Sequence, residues 1–184
     1  MEILTKRKFD IDQYHLMSEA GIINPEERVE LIDGEIVQMS PIGDKHLAVV
    51  SRINALLTAQ LLGKYIVHVQ SPVKLSRYSE PEPDLMVVPH RDDYYASTGI
   101  HPSDVLLLIE VSDTTLRKDT EIKLPLYAQA GIPEVWIVDL NQEHITQYTD
   151  LESGKYQQKR IIKREDQFSP SQLKLTIKGT DLLG

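Results

Sequence analysis

A chain of 184 residues with 41% hydrophobic and 26% charged residues can close one full core, and its composition excludes a disordered or fibrous class. The formal charge of −8 excludes a surface that grips nucleic acid through a general excess of cations, so any such binding must come from a local patch. With no cysteine there are no disulfides, thiol nucleophiles or thiolate metal sites, which leaves oxygen and imidazole as ligands. Met1-Glu2-Ile3-Leu4 runs at once into Lys6, Arg7 and Lys8, and the apolar runs are too short to span a bilayer. The expectation is a cytoplasmic protein with no leader and no membrane partner.

Taken in order, Asp12 to Ala20 reads as a short helix capped by Asp12 and stopped at Gly21. Arg28 to Gln38 alternates, with Val29, Leu31, Ile36 and Val37 as its apolar positions around Asp33-Gly34. That dipeptide predicts a hairpin, because both central positions of a type I′ turn need positive φ. After Ser40-Pro41, apolar residues from Val49 to Leu61 recur at three and four, with His46 on the same face. This predicts a helix from about residue 44 to 62, ended by Gly63. A weak strand is expected over Tyr65 to Leu75, then one over Pro81 to Val88, kept extended at its start by Pro81 and Pro83.

Residues 89 to 103 read as a loop with a helical turn. Val105 to Val111 is the most continuously apolar segment and fits a central strand covered on both faces. Leu116, Thr120, Lys123, Tyr127 and Ala130 then share one helical face up to Gly131. Pro125 inside that helix requires either a kink or a late start that leaves it in the first turn. Glu134 to Asp139 is a second buried strand, residues 144–149 and 155–162 form a hairpin around Ser153-Gly154, and Leu173, Leu175 and Ile177 mark a last strand. The fold class expected is α/β (α+β), a mixed sheet flanked by helices.

Two of these strands hold a carboxylate where an apolar residue would cost less. Burying an ionised carboxylate costs several kcal/mol unless a metal or another charge compensates it. Asp84 shares a face with Met86 and Val88, and Glu82 points the same way if the segment before it stays extended. Glu110 is in phase with Leu106, Leu108 and Ser112. If the two strands are neighbours, both carboxylates and the Val111 carbonyl make a hard oxygen site suited to magnesium or manganese. Such an ion polarises a phosphoryl oxygen and lowers the pKa of a bound water.

Taken singly, each acid also has an ordinary explanation, in a turn after proline or a solvated strand end. Lys123 on an inward face either snorkels or supplies an ammonium to the attacking water or the developing phosphorane charge. His46 is either a packing residue or, near a metal, a ligand for water or phosphate. Glu30 lies opposite Val29 and Leu31, on the usual polar side of a strand.

PEPDLMVV, then LLLIEVS, then KLPLYAQAGIPEVWIVD, preceded by ERVELIDGEIVQMSPIG and His46, resemble the bacterial putative restriction endonuclease family of the PD-(D/E)xK nuclease superfamily. The resemblance runs from about residue 9 to 140, with a weaker echo in FSPSQLKLTI. It implies a restriction-endonuclease-like sheet with an extra N-terminal hairpin. The expected layout is a single domain over 1–184: helix and hairpin 9–40, core about 43–140, and a β-rich extension 141–184.

It further implies a DNA endonuclease in which Asp84, Glu110 and the Val111 carbonyl bind Mg2+ or Mn2+. Glu30 and His46 would be supporting site residues, and Gln70 and Tyr127 weaker candidates. The superfamily places a lysine two residues after the acid, where this chain has Ser112, so Lys123 would supply the ammonium from the next helix. Lys155, Lys159, Arg160, Lys163 and Arg164 are the one basic cluster for phosphate contacts. The alternative is a catalytically inactive nuclease-like module that binds DNA or protein, as a homodimer through its β-rich end. A structural calcium site would need more oxygen ligands than the sequence places.

Overall fold

The computed structural model describes residues 6–184, so the leader reading of Met1–Leu4 lies outside the described residues. Helix α1 (Ile11–Glu19) comes first, followed by strands β1 (Val29–Ile32) and β2 (Glu35–Gln38). Asp10 caps α1, in place of the expected Asp12: its side chain accepts the Gln13 N–H while the Gln13 side chain accepts the Asp10 N–H. This reciprocal capping box draws the start of the helix back. Between β1 and β2, Asp33 and Gly34 have φ of 48° and 80°, as the hairpin reading requires.

Helix α2 (Asp44–Leu61) buries Val49, Val50, Ile53, Leu57 and Leu61, the stripe set by the three- and four-residue spacing. Strand β3 (Tyr65–Val69) is shorter than expected because Gln70 turns to a φ of 44° and takes the chain out of the sheet. Strand β4 (Leu85–Pro89) begins only after the prolines, which leaves Asp84 one residue outside it. A 3-10 turn (Pro102–Asp104) leads into β5 (Leu107–Ser112), which is buried at every position.

The next helical stretch has three parts: α3 (Leu116–Lys118), a π-helical turn (Asp119–Lys123) and α4 (Leu124–Ala130). Pro125 sits in the first turn of α4, the late-start alternative, with the wider turn ahead of it absorbing the mismatch. Strands β6 (Val135–Asp139), β7 (His144–Glu152) and β8 (Lys155–Ile162) follow, then the short pair β9 (Gln167–Phe168) and β10 (Ile177–Lys178). The expected strand over Leu173, Leu175 and Ile177 is thus cut to two residues, although Leu173 and Ile177 are both buried. Helix α5 (Gly179–Leu183), which the sequence reading lacked, closes the chain.

The main sheet has the order β3-β4-β5-β6-β7-β8, antiparallel throughout except for the parallel pair β5/β6. On one face Val87, Ile109, Val111, Trp136 and Val138 pack in the core that holds the α2 stripe. On the other, Met86, Leu108, Val135 and Ile137 pack with Tyr127 and Ile132. Cover on both faces explains why β5 and β6 read as unbroken apolar runs. Among the described residues no helix is long and apolar enough to cross a membrane.

Candidate active site

The register of β4 against β5 creates the site. Leu85 pairs with Ile109, so one step further Asp84 and Glu110 leave the end of the pairing together. Both line a cavity of about 140 Å³, with His46, Gln70, Val111 and Lys123 also in its wall. Asp84 Oδ2 accepts the Val111 N–H at 2.8 Å and lies 3.0 Å from His46 Nε2. Its hydrogen bond raises the His46 pKa against the opposing effect of burial. His46 Nδ1 is buried without a partner among the described residues, and Gln70 Nε2 is a distant 3.5 Å from Asp84 Oδ1. In a strand the N–H and C=O of one residue point to the same side, so the Val111 carbonyl is directed to the edge where Asp84 lies.

Glu110 is buried at the foot of this cavity. Its Oε1 accepts from Lys123 Nζ at 3.1 Å and Tyr127 Oη at 2.5 Å, and its Oε2 has no hydrogen-bond partner among the described residues. Burial pushes the Glu110 carboxyl up to about 8, outweighing the Lys123 ammonium, which favours the charged form. Lys123 also lies 3.0 Å from Glu30 Oε2, while Lys118 Nζ lies 2.7 Å from Glu30 Oε1. Burial works against the Lys123 ammonium, yet Glu110, Glu30 and Asp119 outweigh it and hold the pKa well above the usual lysine range. The result is a buried chain of paired groups, Lys118–Glu30–Lys123–Glu110, ending on the Tyr127 hydroxyl.

Residues 11–178 match the Uma2 family, described as a putative restriction endonuclease. This chain belongs to the Uma2 family. No curated protein matches it. Among solved structures, a putative nuclease belonging to DUF820 from Anabaena variabilis ATCC 29413 superposes with a TM-score of 0.73 at 15% identity, over 95% of this chain and 97% of that one. That is a likeness of fold, and it extends to the mixed sheet with its flanking helices.

In this Uma2 chain Asp84, Glu110, Val111, Lys123 and His46 come together around one cavity, and Glu30 and Tyr127 stand directly behind it. Glu30 is not on a solvated face as its strand position suggested. It is fully buried, because the hairpin folds onto the helical stretch that carries Lys118 and Lys123. Glu82 departs from Asp84: with no strand over Pro81–Asp84, its N–H donates to Glu30 Oε2 and it lines a separate cavity with Tyr14 and Val29. The basic cluster lies on and beyond β8, at the sheet edge, where Arg164 pairs with Glu143. Three strand spacings, roughly 14 Å, separate β8 from β5.

Asp119, Lys118 and Arg28 also line the cavity and were not singled out in the sequence. Asp119 is buried, and its Oδ2 accepts from Ser112 Oγ at 2.7 Å and Thr115 Oγ1 at 2.6 Å. Burial raises its pKa against those hydrogen bonds. The available signal was the spacing Thr115, Asp119, Lys123, which puts all three on one helical side. Ser112, where the resemblance in the sequence leads one to expect a lysine, is therefore occupied in holding Asp119.

The donor set fits a hard dication. Among the described residues no group of three or more His, Asp or Glu side chains has metal-binding geometry. An ion would therefore take the Asp84 and Glu110 carboxylates and the Val111 carbonyl, with water completing its shell. Magnesium, which keeps several waters, suits such a set.

Proposed function

We propose that this Uma2 protein is a metal-dependent endonuclease that hydrolyses DNA phosphodiester bonds. The observation that carries the reading is Glu110, a buried carboxyl with one oxygen anchored by Lys123 and Tyr127, the other without a hydrogen-bond partner among the described residues, in the cavity that Asp84 also lines. Asp84, Glu110 and the Val111 carbonyl would hold Mg2+ or Mn2+. Bound there, the ion would polarise a phosphoryl oxygen and make its water a better nucleophile at neutral pH. Lys123 keeps its proton between Glu30 and Glu110, so it acts as a fixed positive charge that orients water and offsets charge developing on the phosphate, not as a base. His46 holds Asp84 from the α2 side, and Glu30 fixes Lys123 from the hairpin.

Plasmid incubated with Mg2+ or Mn2+ and the wild-type protein should be nicked, and Glu110→Ala should abolish nicking; equal nicking by both would sink the proposal. One observation favours a second reading, a nuclease-like module that binds without cutting: Ser112 stands at the superfamily's lysine position and is committed to Asp119. Isothermal titration with Mn2+ separates the two. Heat of binding that Asp84→Asn removes supports the nuclease, and a silent titration without nicking supports the module.

A further inference from the structure

The cavity has cationic walls as well as acidic ones, and those walls have donors to spare. Lys118, about a quarter exposed, lies 2.7 Å from Glu30 Oε1, an ion pair that keeps its ammonium at the cavity wall. Arg28, at the foot of the β1–β2 hairpin, donates one long hydrogen bond, 3.3 Å to the Ser40 carbonyl. Among the described residues no carboxylate lies within ion-pairing distance of it. Both side chains line the same cavity as Asp84 and Glu110. A guanidinium presents a planar fork of donors that matches two oxygens of a phosphate, whereas an ammonium acts as a point charge. The basic cluster on β8 lies three strands away and cannot reach a phosphate bound at Asp84 and Glu110.

We infer that Arg28 and Lys118 form a phosphate cradle that seats a backbone phosphodiester of DNA over the carboxylates. This rests on the nuclease reading and adds to it the residues that grip the substrate. The N-terminal hairpin then has two roles. Glu30 from β1 fixes the lysines from below, and Arg28, one residue before β1, meets the strand from above. An acidic chain of net charge −8 thereby binds a polyanion through a small local patch.

Binding of a short fluorescein-labelled DNA duplex is measured by polarisation against sodium chloride concentration, with Ca2+ replacing Mg2+ to suppress cleavage. Wild type is compared with Arg28→Gln, Lys118→Gln and Lys159→Gln. Arg28→Gln should weaken binding about tenfold or more and lower the log–log salt slope by about 0.9, the amount one phosphate–cation pair contributes. Lys118→Gln should act in the same direction, and Lys159→Gln should match wild type. Thermal unfolding accompanies each variant, since Lys118 faces a buried carboxylate; Arg28, with a single weak bond, keeps the test intact if Lys118→Gln unfolds.

Wild-type affinity and slope in Arg28→Gln overturn the inference, as does a loss carried by Lys159→Gln or no binding by wild type. Cleavage of the same duplex in Mg2+ keeps the two claims apart. Binding that depends on Arg28 without cleavage leaves the cradle standing and sinks the nuclease reading. Cleavage by Arg28→Gln with unchanged KM sinks the cradle alone.

Discussion

Replacing Glu30 by glutamine removes a charge and almost no volume, so its effect isolates the buried chain of ion pairs. The Glu30 side chain is wholly inaccessible, and its two partners differ: Lys123 is 4% exposed and Lys118 is 23% exposed. The Lys118 pair is partly solvated and contributes about 1 kcal/mol or less. Breaking a buried pair costs about 3–5 kcal/mol because the surviving charge is stranded. Lys123 keeps Glu110 as a partner, so the lower end applies and the expected loss is about 3 kcal/mol. For a chain of this size that corresponds to a fall in Tm of roughly 6–12 °C.

Urea unfolding followed by the fluorescence of the buried Trp136 reads this as a lower midpoint with an unchanged m value. Glu35→Gln is the control, since the Lys6–Glu35 pair is 82% and 57% exposed and its loss should leave the midpoint unchanged. The double variant Glu30→Gln/Lys123→Met should be more stable than the sum of the single losses, as the two residues share one interaction. A Glu30→Gln protein indistinguishable from Glu35→Gln would show that the buried ion pairs do not hold the hairpin in place.

Metal-free protein should lose stability as pH rises from about 5 to 8. A carboxyl with a folded pKa near 8 holds its proton more tightly than the unfolded chain, so its contribution is complete below about 4.5 and lost through 8. Urea midpoints in the presence of a chelator check this, and a midpoint that climbs over that window would contradict it. Tyr127→Phe removes the hydroxyl that donates to Glu110 Oε1 at 2.5 Å, for an expected loss of about 1–2 kcal/mol by urea unfolding and a marked fall in nicking. Gly179→Ala would drive a Cβ into the Lys163 carbonyl oxygen, far inside van der Waals distance. It should cost about 2 kcal/mol and speed hydrogen exchange at the Thr180 N–H, which donates to Arg164 O.

Both hairpin turns, the α2 stripe and the central strands were legible because they rest on local signals: Asp33-Gly34, Ser153-Gly154, and apolar spacing. That Asp84 and Glu110 would converge was legible only on the condition that their strands are neighbours, and the β4/β5 pairing meets it. What the sequence concealed was long-range. Glu30 sits on β1 in a position that alternation assigns to solvent, and only the docking of the hairpin on Lys118 and Lys123 buries it. Glu82 read as a companion of Asp84 because alternation was extended into a proline-rich segment that is not a strand. Gly179, where β10 meets α5, lies too close to the Lys163 backbone to admit a side chain, an approach between distant segments that local pattern does not encode. Ser112 looked like a missing lysine, and the structure gives it a partner of its own, Asp119, which spacing along one helix could have suggested.

A cation held by Asp84 and Glu110 underlies the chemistry proposed for this protein, and a crystal soaked in Mn2+ would reveal it through the anomalous signal of the metal. One peak is expected within coordination distance of both the Asp84 and Glu110 carboxylates, with the Val111 carbonyl and water completing the shell. No peak there in crystals soaked above pH 8, where Glu110 is ionised, or a peak held elsewhere, would contradict the assignment.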